Sequence, residues 1–439
     1  MELNSLFFIL LVLPIFVLAM YFIKNNKIRN VLITVFSLLL YLIADPKYFI
    51  LIVLIGLLTY LVGKRVDKTL YFIYLFLIVF FLCVFKYGNY FITNISSLKI
   101  IMPVGISFYV FTSISYVSDV YYKKIKAEDN LVNVLTYITF FPTVVSGPIL
   151  RYEPFRTYLE SKNISLDTIT IGLKQFVVGL FKKVVIANQI AVAVNICFDT
   201  GTSLSLSLAW FGSICFMIQL YFDFSGYSDM AIGVARMIGF EIPMNFNNPY
   251  YSTSIQDFWR RWHISLSSWF RDYVYIPLGG SRCSTPRWLI NILIVWSLTG
   301  IWHGSTLNYL LWGLWNALFL ILHKFIFSKF KLPKCVFWFL TQLVVMYGFT
   351  LFRANDLAMY TKALVGLGAP FSLAYIKQLD ILYLWFYILL AIVMMLPLSK
   401  KIVNKLPTSV CDLFVVLLLM VSIVYVVSGS YAAFIYAGF

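Results

Sequence analysis

The chain has only three histidines, His263, His303 and His323. Two of them stand in the pieces FWRRWHISLSSWFRDYVYIPLGGSR (258–282) and LTGIWHG (298–304). Imidazole is the usual general base near neutral pH. His303 ends an apolar stretch that begins at Trp288, and a titratable side chain at membrane depth marks a functional site by default. The structural alternative is a ring bonded to a neighbouring carbonyl, or to Thr299 one turn back. Gly304, directly after it, suits a helix C-cap. No G-x-S-x-G elbow, P-loop, H-E-x-x-H or paired-cysteine metal site occurs in the chain. No metal and no permanently bound cofactor is therefore expected. A histidine base without a protein nucleophile beside it points to direct transfer, in which the base deprotonates an acceptor hydroxyl.

The basic residues around these histidines change type. From Val184 to His323 there is no lysine and there are six arginines, and eight of the eleven tryptophans fall between Trp259 and Trp315. Arginine is preferred where a planar, permanently charged fork meets phosphate or carboxylate. Arg260, Arg261 and Arg271 are the candidates for binding a phosphate-bearing donor. Trp259, Trp262, Leu266, Trp269, Tyr273 and Ile276 step 3-4-3-4-3, which predicts one amphipathic helix with the arginines and His263 off its apolar seam. Lying at a lipid interface is the competing role for such a helix, and from spacing alone His263 reads as structural. Asp119, Asp223, Asp229 and Asp272 sit in apolar or aromatic surroundings or beside the arginines. They read as ion-pair members, with Arg236 or the arginines of 260–271 as partners.

These residues must be positioned within a membrane. The 439 residues are 61% hydrophobic and 12% charged, with a mean hydropathy of +0.88, which excludes a water-soluble domain of ordinary composition. The +16 net charge points to cytoplasmic loops and lipid headgroups, and nucleic acid is not an expected partner. The six cysteines lie mostly in apolar runs and read as buried small hydrophobes. Apolar stretches recur at 6–23, 31–44, 47–62, 69–86, 100–122, 131–149, 170–198, 203–223, 288–303, 306–327, 334–352, 379–398 and 408–428. They predict an all-α polytopic protein of about 11–13 long helices with extra short re-entrant or interfacial ones. No internal repeat or long linker divides it, so residues 1–439 read as a single integral-membrane domain with a catalytic core at about 100–325.

Loops 24–29, 64–68 and 123–126 carry nine basic residues together, against three in the alternate loops around Lys47 and from Lys86 to Lys99. The positive-inside rule puts the first set, and loop 399–406, in the cytoplasm. Both termini are then outside, including the uncharged tail 428–439. The first apolar stretch has its basic residues after it, so it reads as a retained span.

The two histidine pieces, with MPVGISFYVFTSISYVSDVY, FFPTVVSGPILRYEPF and YFDFSGYSDMAIGVA upstream in order, resemble the membrane-bound O-acyltransferase family. The similarity is to the branch of the bacterial alginate O-acetylation membrane protein, and the I-P-L-G-G piece favours it over the teichoic-acid D-alanylating branch. It implies a curved helical bundle around a thin centre, with a funnel on each face and His303 near the middle. His263 matches the family's second histidine. The implied activity moves acetyl groups from acetyl-CoA on the cytoplasmic side to an extracytoplasmic cell-surface polysaccharide, in a bacterial cell membrane and among its lipids. The ending FIYAGF resembles the family's terminal F-I-Y-F-x-F, with Ala437 replacing an aromatic. That match implies Tyr436 as an acyl relay to a secreted serine hydrolase-like partner. D-alanyl transfer to teichoic acid is the alternative within the family, and a polysaccharide-export protein is the alternative outside it. The export reading loses ground because no internal repeat is present.

Overall fold

The computed structural model describes residues 3–92, 100–199, 204–370, 381–396 and 405–429. These residues are helical throughout, apart from connecting turns and one isolated bridge between Ser205 and Ala369. The helices that position the site are α1 (Asn26–Ala44), α2 (Phe49–Arg65), α3 (Lys68–Ile92), α4 (Ile106–Tyr121), α5 (Leu166–Asp199), α6 (Leu206–Met237), α7 (Ile255–Arg261), α8 (Ile264–Phe270), α9 (Thr285–His303), α10 (Leu307–Phe325), α11 (Lys334–Arg353) and α12 (Thr408–Val427). Among the described residues eight helices are long and apolar enough to cross a membrane: α1, α2, α3, α5, α6, α10, α11 and α12. Phe8–Phe22 and Tyr383–Met395 are apolar but shorter. The expected bundle is thus present, with several of its members short. The apolar run 131–149, for example, forms only the helix Leu131–Thr139 before turning. Large apolar side chains such as Phe76, Ile50, Leu413 and Phe386 face outward, as lipid-facing surface requires.

Helix α6 runs well past the apolar stretch that ends at Asp223, because its acids have partners. Lys183 pairs with Asp223 at 2.5 Å, both nearly fully buried, and Lys182 pairs with Asp229 at 2.6 Å. The expected partners were arginines; the observed ones are lysines of the π-helical turn Lys182–Ala187 within α5. Arg236 instead holds Glu241 and Gln175. A π turn widens the helix by one residue and is frequent at special sites. Here it turns two consecutive lysines toward α6. The two helices come close enough to pair because glycine meets glycine. A Cβ on Gly179 would lie 2.6 Å from the Gly226 carbonyl, and one on Gly172 would lie 2.6 Å from that of Gly233. Two of the six cysteines, Cys197 and Cys215, are buried as expected, whereas Cys83 and Cys335 are exposed. On a lipid-facing helix an exposed thiol is still in apolar surroundings.

Hydrogen bonds sort the loops onto two faces. Lys64 pairs with Asp129, Asn26 bonds the Glu160 carbonyl, Lys124 pairs with Asp119, and Lys174 pairs with Asp412 at the start of α12. Loops 24–29, 64–68 and 123–126 therefore share a face with the entry to α12. On the other face Asp45 accepts from the Val104 amide at 2.9 Å and Tyr41 donates to the Val104 carbonyl at 3.0 Å.

Candidate active site

The seam from Trp259 to Ile276 does not lie on one helix. Helix α7 stops at Arg261, and His263 takes a left-handed backbone conformation (φ 43°, ψ 55°) before α8 begins. A non-glycine residue there costs about 1–2 kcal/mol, so the surroundings must hold it. Asn245 does so: its carbonyl accepts from Ile264 N at 3.0 Å, and its side-chain oxygen accepts from Ser265 N at 3.2 Å and Ser265 Oγ at 2.7 Å. The Asn247 amide donates to the Arg261 carbonyl at 2.9 Å on the other side of the bend. Trp262, Leu266 and Trp269 are buried in protein, not spread along a lipid interface as the helical spacing allowed. Trp269 Nε1 donates to the Phe111 carbonyl at 2.9 Å and Trp259 Nε1 to Asn316 Oδ1 at 3.1 Å. The bend carries His263 into the interior, 99% buried, with the Phe224 ring edge-on at 4.6 Å.

Helices α9 and α10 form a close hairpin. A Cβ on Gly313 would meet the Trp296 carbonyl at 2.2 Å, and one on Gly300 would meet that of Tyr309 at 2.4 Å. Gly304 is the C-cap of α9, as expected, with an extended backbone (φ 170°, ψ 176°). Its small size is needed because a Cβ there would lie 2.3 Å from the Tyr309 ring. His303 is thereby set among Trp302 (4.6 Å between ring centroids), Trp312 (4.9 Å) and Phe352 (5.1 Å). Thr299, the candidate partner one turn back, donates its hydroxyl to the Val295 carbonyl at 2.7 Å.

Both histidines line one cavity of about 570 Å³, as does Thr299, within the ~300–1,000 Å³ range of small-molecule clefts. Its walls are Trp259, Trp262, Trp296 and Trp312, and its outer part is reached by Arg271, Tyr275, Ser281, Lys324 and Ser328. Asp272 pairs with both Arg271 (2.8 Å) and Arg151 (3.4 Å), and Tyr273 donates to Asp119 at 2.7 Å. Asp119 pairs with Lys124, so the mouth opens on the face that carries loop 123–126. The π-helical turn Arg271–Tyr275 puts both Arg271 and Tyr275 on the cavity. Chemically this is an apolar slot with two imidazoles at depth and cations at the rim.

The structure brings His263, His303 and Arg271 together and leaves Arg260 and Arg261 off the cavity wall. Arg260 is exposed, and Arg261 holds Asp257 one turn back at 2.9 Å. Asp223, Asp229 and Asp272 are ion-paired, as their surroundings implied. Tyr436 and the rest of the tail from residue 430 lie outside the described residues. Sequence reasoning gave no role to His323 and Lys324 or to Gln256, all of which line the cavity. The signal for His323 was in plain view, as the remaining member of a set of three. Among the described residues no cluster of His, Cys, Asp and Glu is arranged to hold a metal ion.

Comparison with known proteins bears on the same segments. The model of the MBOAT, membrane-bound O-acyltransferase family matches residues 126–354. A probable alginate O-acetylase of Pseudomonas syringae pv. tomato is 35% identical over 81% of this chain and 73% of its own. A peptidoglycan O-acetyltransferase of Helicobacter pylori is 34% identical over 83% of this chain and 79% of its own. A teichoic acid D-alanyltransferase of Bacillus subtilis is 30% identical over 58% of this chain and 68% of its own. The family match spans the bend at His263, the α9–α10 hairpin and His303, and with these relatives it establishes that this multi-span chain belongs to the membrane-bound O-acyltransferase family.

Proposed function

We propose that this O-acyltransferase moves acetyl groups from acetyl-CoA, taken up on the cytoplasmic face, to an extracytoplasmic hydroxyl, for O-acetylation of a cell-surface polysaccharide. The observation that carries the reading is the single cavity that joins His263 and His303 to a cationic rim on the basic-loop face. In this reading that face is cytoplasmic by the positive-inside rule, the membrane is the bacterial cell membrane, and both termini are outside. Arg271 and Lys324 meet the donor phosphates, and the thioester arm occupies the aromatic slot. His303 takes the acceptor proton while the acceptor oxygen attacks the thioester carbonyl. The carbon–sulfur bond breaks and the proton passes to the departing thiolate. His263, held rigidly beside the same slot, orients the reacting groups. The names of the alginate and peptidoglycan O-acetylating relatives support acetyl as the group and a glycan as the final acceptor.

Tyr436 is the proposed acceptor in the first transfer. A phenyl ester is activated relative to a sugar ester, which suits a relay to an extracytoplasmic serine hydrolase-like partner. Two measurements test the scheme. Mild-base release of acyl groups from surface polymers, with and without the gene, should show lost acetate; lost alanine would favour the D-alanyl reading of the Bacillus relative. Tyr436→Phe should keep protein level and abolish transfer. Normal acetylation in that variant would leave His303 acylating the glycan directly and end the relay.

A further inference from the structure

Lys86 stands on α3 six residues before its end, although the basic-loop count places it at the start of an outer loop. Helix α3 begins at Lys68 on the basic-loop face, so Lys86 lies well toward the opposite face. Its ammonium sits 4.8 Å from the centre of the Trp302 ring, and Trp302 in turn packs edge-on against His303. Neither Lys86 nor Trp302 lines the cavity that holds the two histidines. The neighbouring Tyr87 donates to the Ile301 carbonyl, which ties this part of α3 to the end of α9. Asn89 exchanges two 2.7 Å bonds with the backbone of Ile100.

Two features of the pair point to a ligand. Among the described residues no carboxylate pairs with Lys86, and its hydrogen bond to Ser107 Oγ is long at 3.5 Å. Trp302 is 95% buried, yet its Nε1–H has no hydrogen-bond partner among the described residues. A half-buried ammonium at membrane depth without a counterion faces an anion or a water-filled path, and an unused buried donor beside it is costly unless something accepts from it. We infer that Lys86 and Trp302 form the acceptor side of the reaction centre, where the acceptor hydroxyl, approaching opposite the donor cavity, places the oxygen that becomes negative during transfer.

The division of labour follows from charge. His303 removes the acceptor proton, the acceptor oxygen forms the new ester bond, and the carbon–sulfur bond of the donor breaks. Lys86 transfers no proton in this scheme; its positive charge and the Trp302 N–H lower the energy of the acceptor oxygen as negative charge develops on it. Donors aimed at developing charge inside a water-poor site are each worth roughly 10²–10³ in rate, and the indole face helps to hold the Lys86 ammonium in place.

This inference rests on the acyl-transfer reading above, and the two fail differently. Full-length protein is made as Lys86→Met, Lys86→Arg, Trp302→Phe and His303→Gln. Two quantities are measured: polymer acetylation in cells, and protection of the purified protein from heat by acetyl-CoA. Lys86→Met should lose roughly 10- to 100-fold in acetylation while acetyl-CoA protects it as it does the parent. Lys86→Arg should recover most of the loss, and Trp302→Phe, which keeps the ring and removes the N–H, should lose less than Lys86→Met. Parent-like acetylation by Lys86→Met overturns the inference. So does loss of acetyl-CoA protection in step with acetylation, which would make Lys86 a packing residue. An arginine variant no better than methionine has the same consequence. Normal acetylation by His303→Gln would instead overturn His303 as the base in the scheme above.

Discussion

The α5–α6 pair and the α9–α10 hairpin both bring polar groups into the middle of an apolar bundle, by the same device and with opposite outcomes. In each, glycine lets two helices touch backbone to backbone. Between α5 and α6 the polar groups that arrive are matched acid and base, Lys183 with Asp223 and Lys182 with Asp229. At α9 and α10 the group that arrives is the imidazole of His303, which shares tryptophan-lined walls with His263 from the α7–α8 bend, with a cavity left open beside them. Matched charges close a structure, because each group satisfies the other and leaves nothing for a substrate. Imidazoles set beside open space, with cations only at its rim, leave room for a reaction.

The contrast can be broken by substitution, and the largest effect belongs to His303. His303→Gln should cut polymer acetylation on the order of 10²–10⁴-fold with an unchanged melting temperature. A variant that unfolds instead would put His303 with the structural pairs. Next comes the buried pair: Asp223→Asn leaves Lys183 an uncompensated ammonium and should destabilise by about 3–5 kcal/mol. Joint replacement as Asp223→Leu with Lys183→Met should recover much of that in a denaturation experiment. An Asp223→Asn protein as stable as the parent but inactive would move the pair into the reaction centre. Arg271→Met should raise the acetyl-CoA concentration needed for half-maximal rate by an amount equivalent to about 1.5–3 kcal/mol, the usual worth of a charge-assisted bond, with little change in maximal rate. Arg260→Ala should shift stability by less than about 0.5 kcal/mol and leave donor use unchanged. A strong donor defect there would return Arg260 to the donor site despite its exposure.

Much of the site was legible in the residues. His303 stood out because a lone imidazole closing an apolar helix has few bland explanations, and the concentration of tryptophan and arginine marked the same segment. The acids of α6 were read correctly as ion-paired, yet their partners were misassigned to arginines. That error had a physical cause: Lys182 and Lys183 reach α6 only because α5 carries a π turn and because Gly179 and Gly226 admit close approach. The 3-4-3-4-3 spacing of Trp259 to Ile276 predicted a straight amphipathic helix, and the structure bends it at His263. Spacing reports local periodicity and is blind to the remote Asn245, which stabilises the left-handed residue at the bend.

By itself the sequence determined that this is a helical membrane protein with one basic face, that its candidate site residues gather between Phe258 and His303, and which family it resembles. Those conclusions depend on composition, charge order and local motifs, which the chain carries whatever its three-dimensional path. Only the tertiary structure decided that His263 and His303 share one cavity, that Arg271 and not Arg260 or Arg261 reaches its wall, and that Lys86 lies against Trp302. Each of those is a contact between segments distant in the chain. Such contacts are set by helix packing at glycine positions and by single bends, and periodicity along one helix does not encode them.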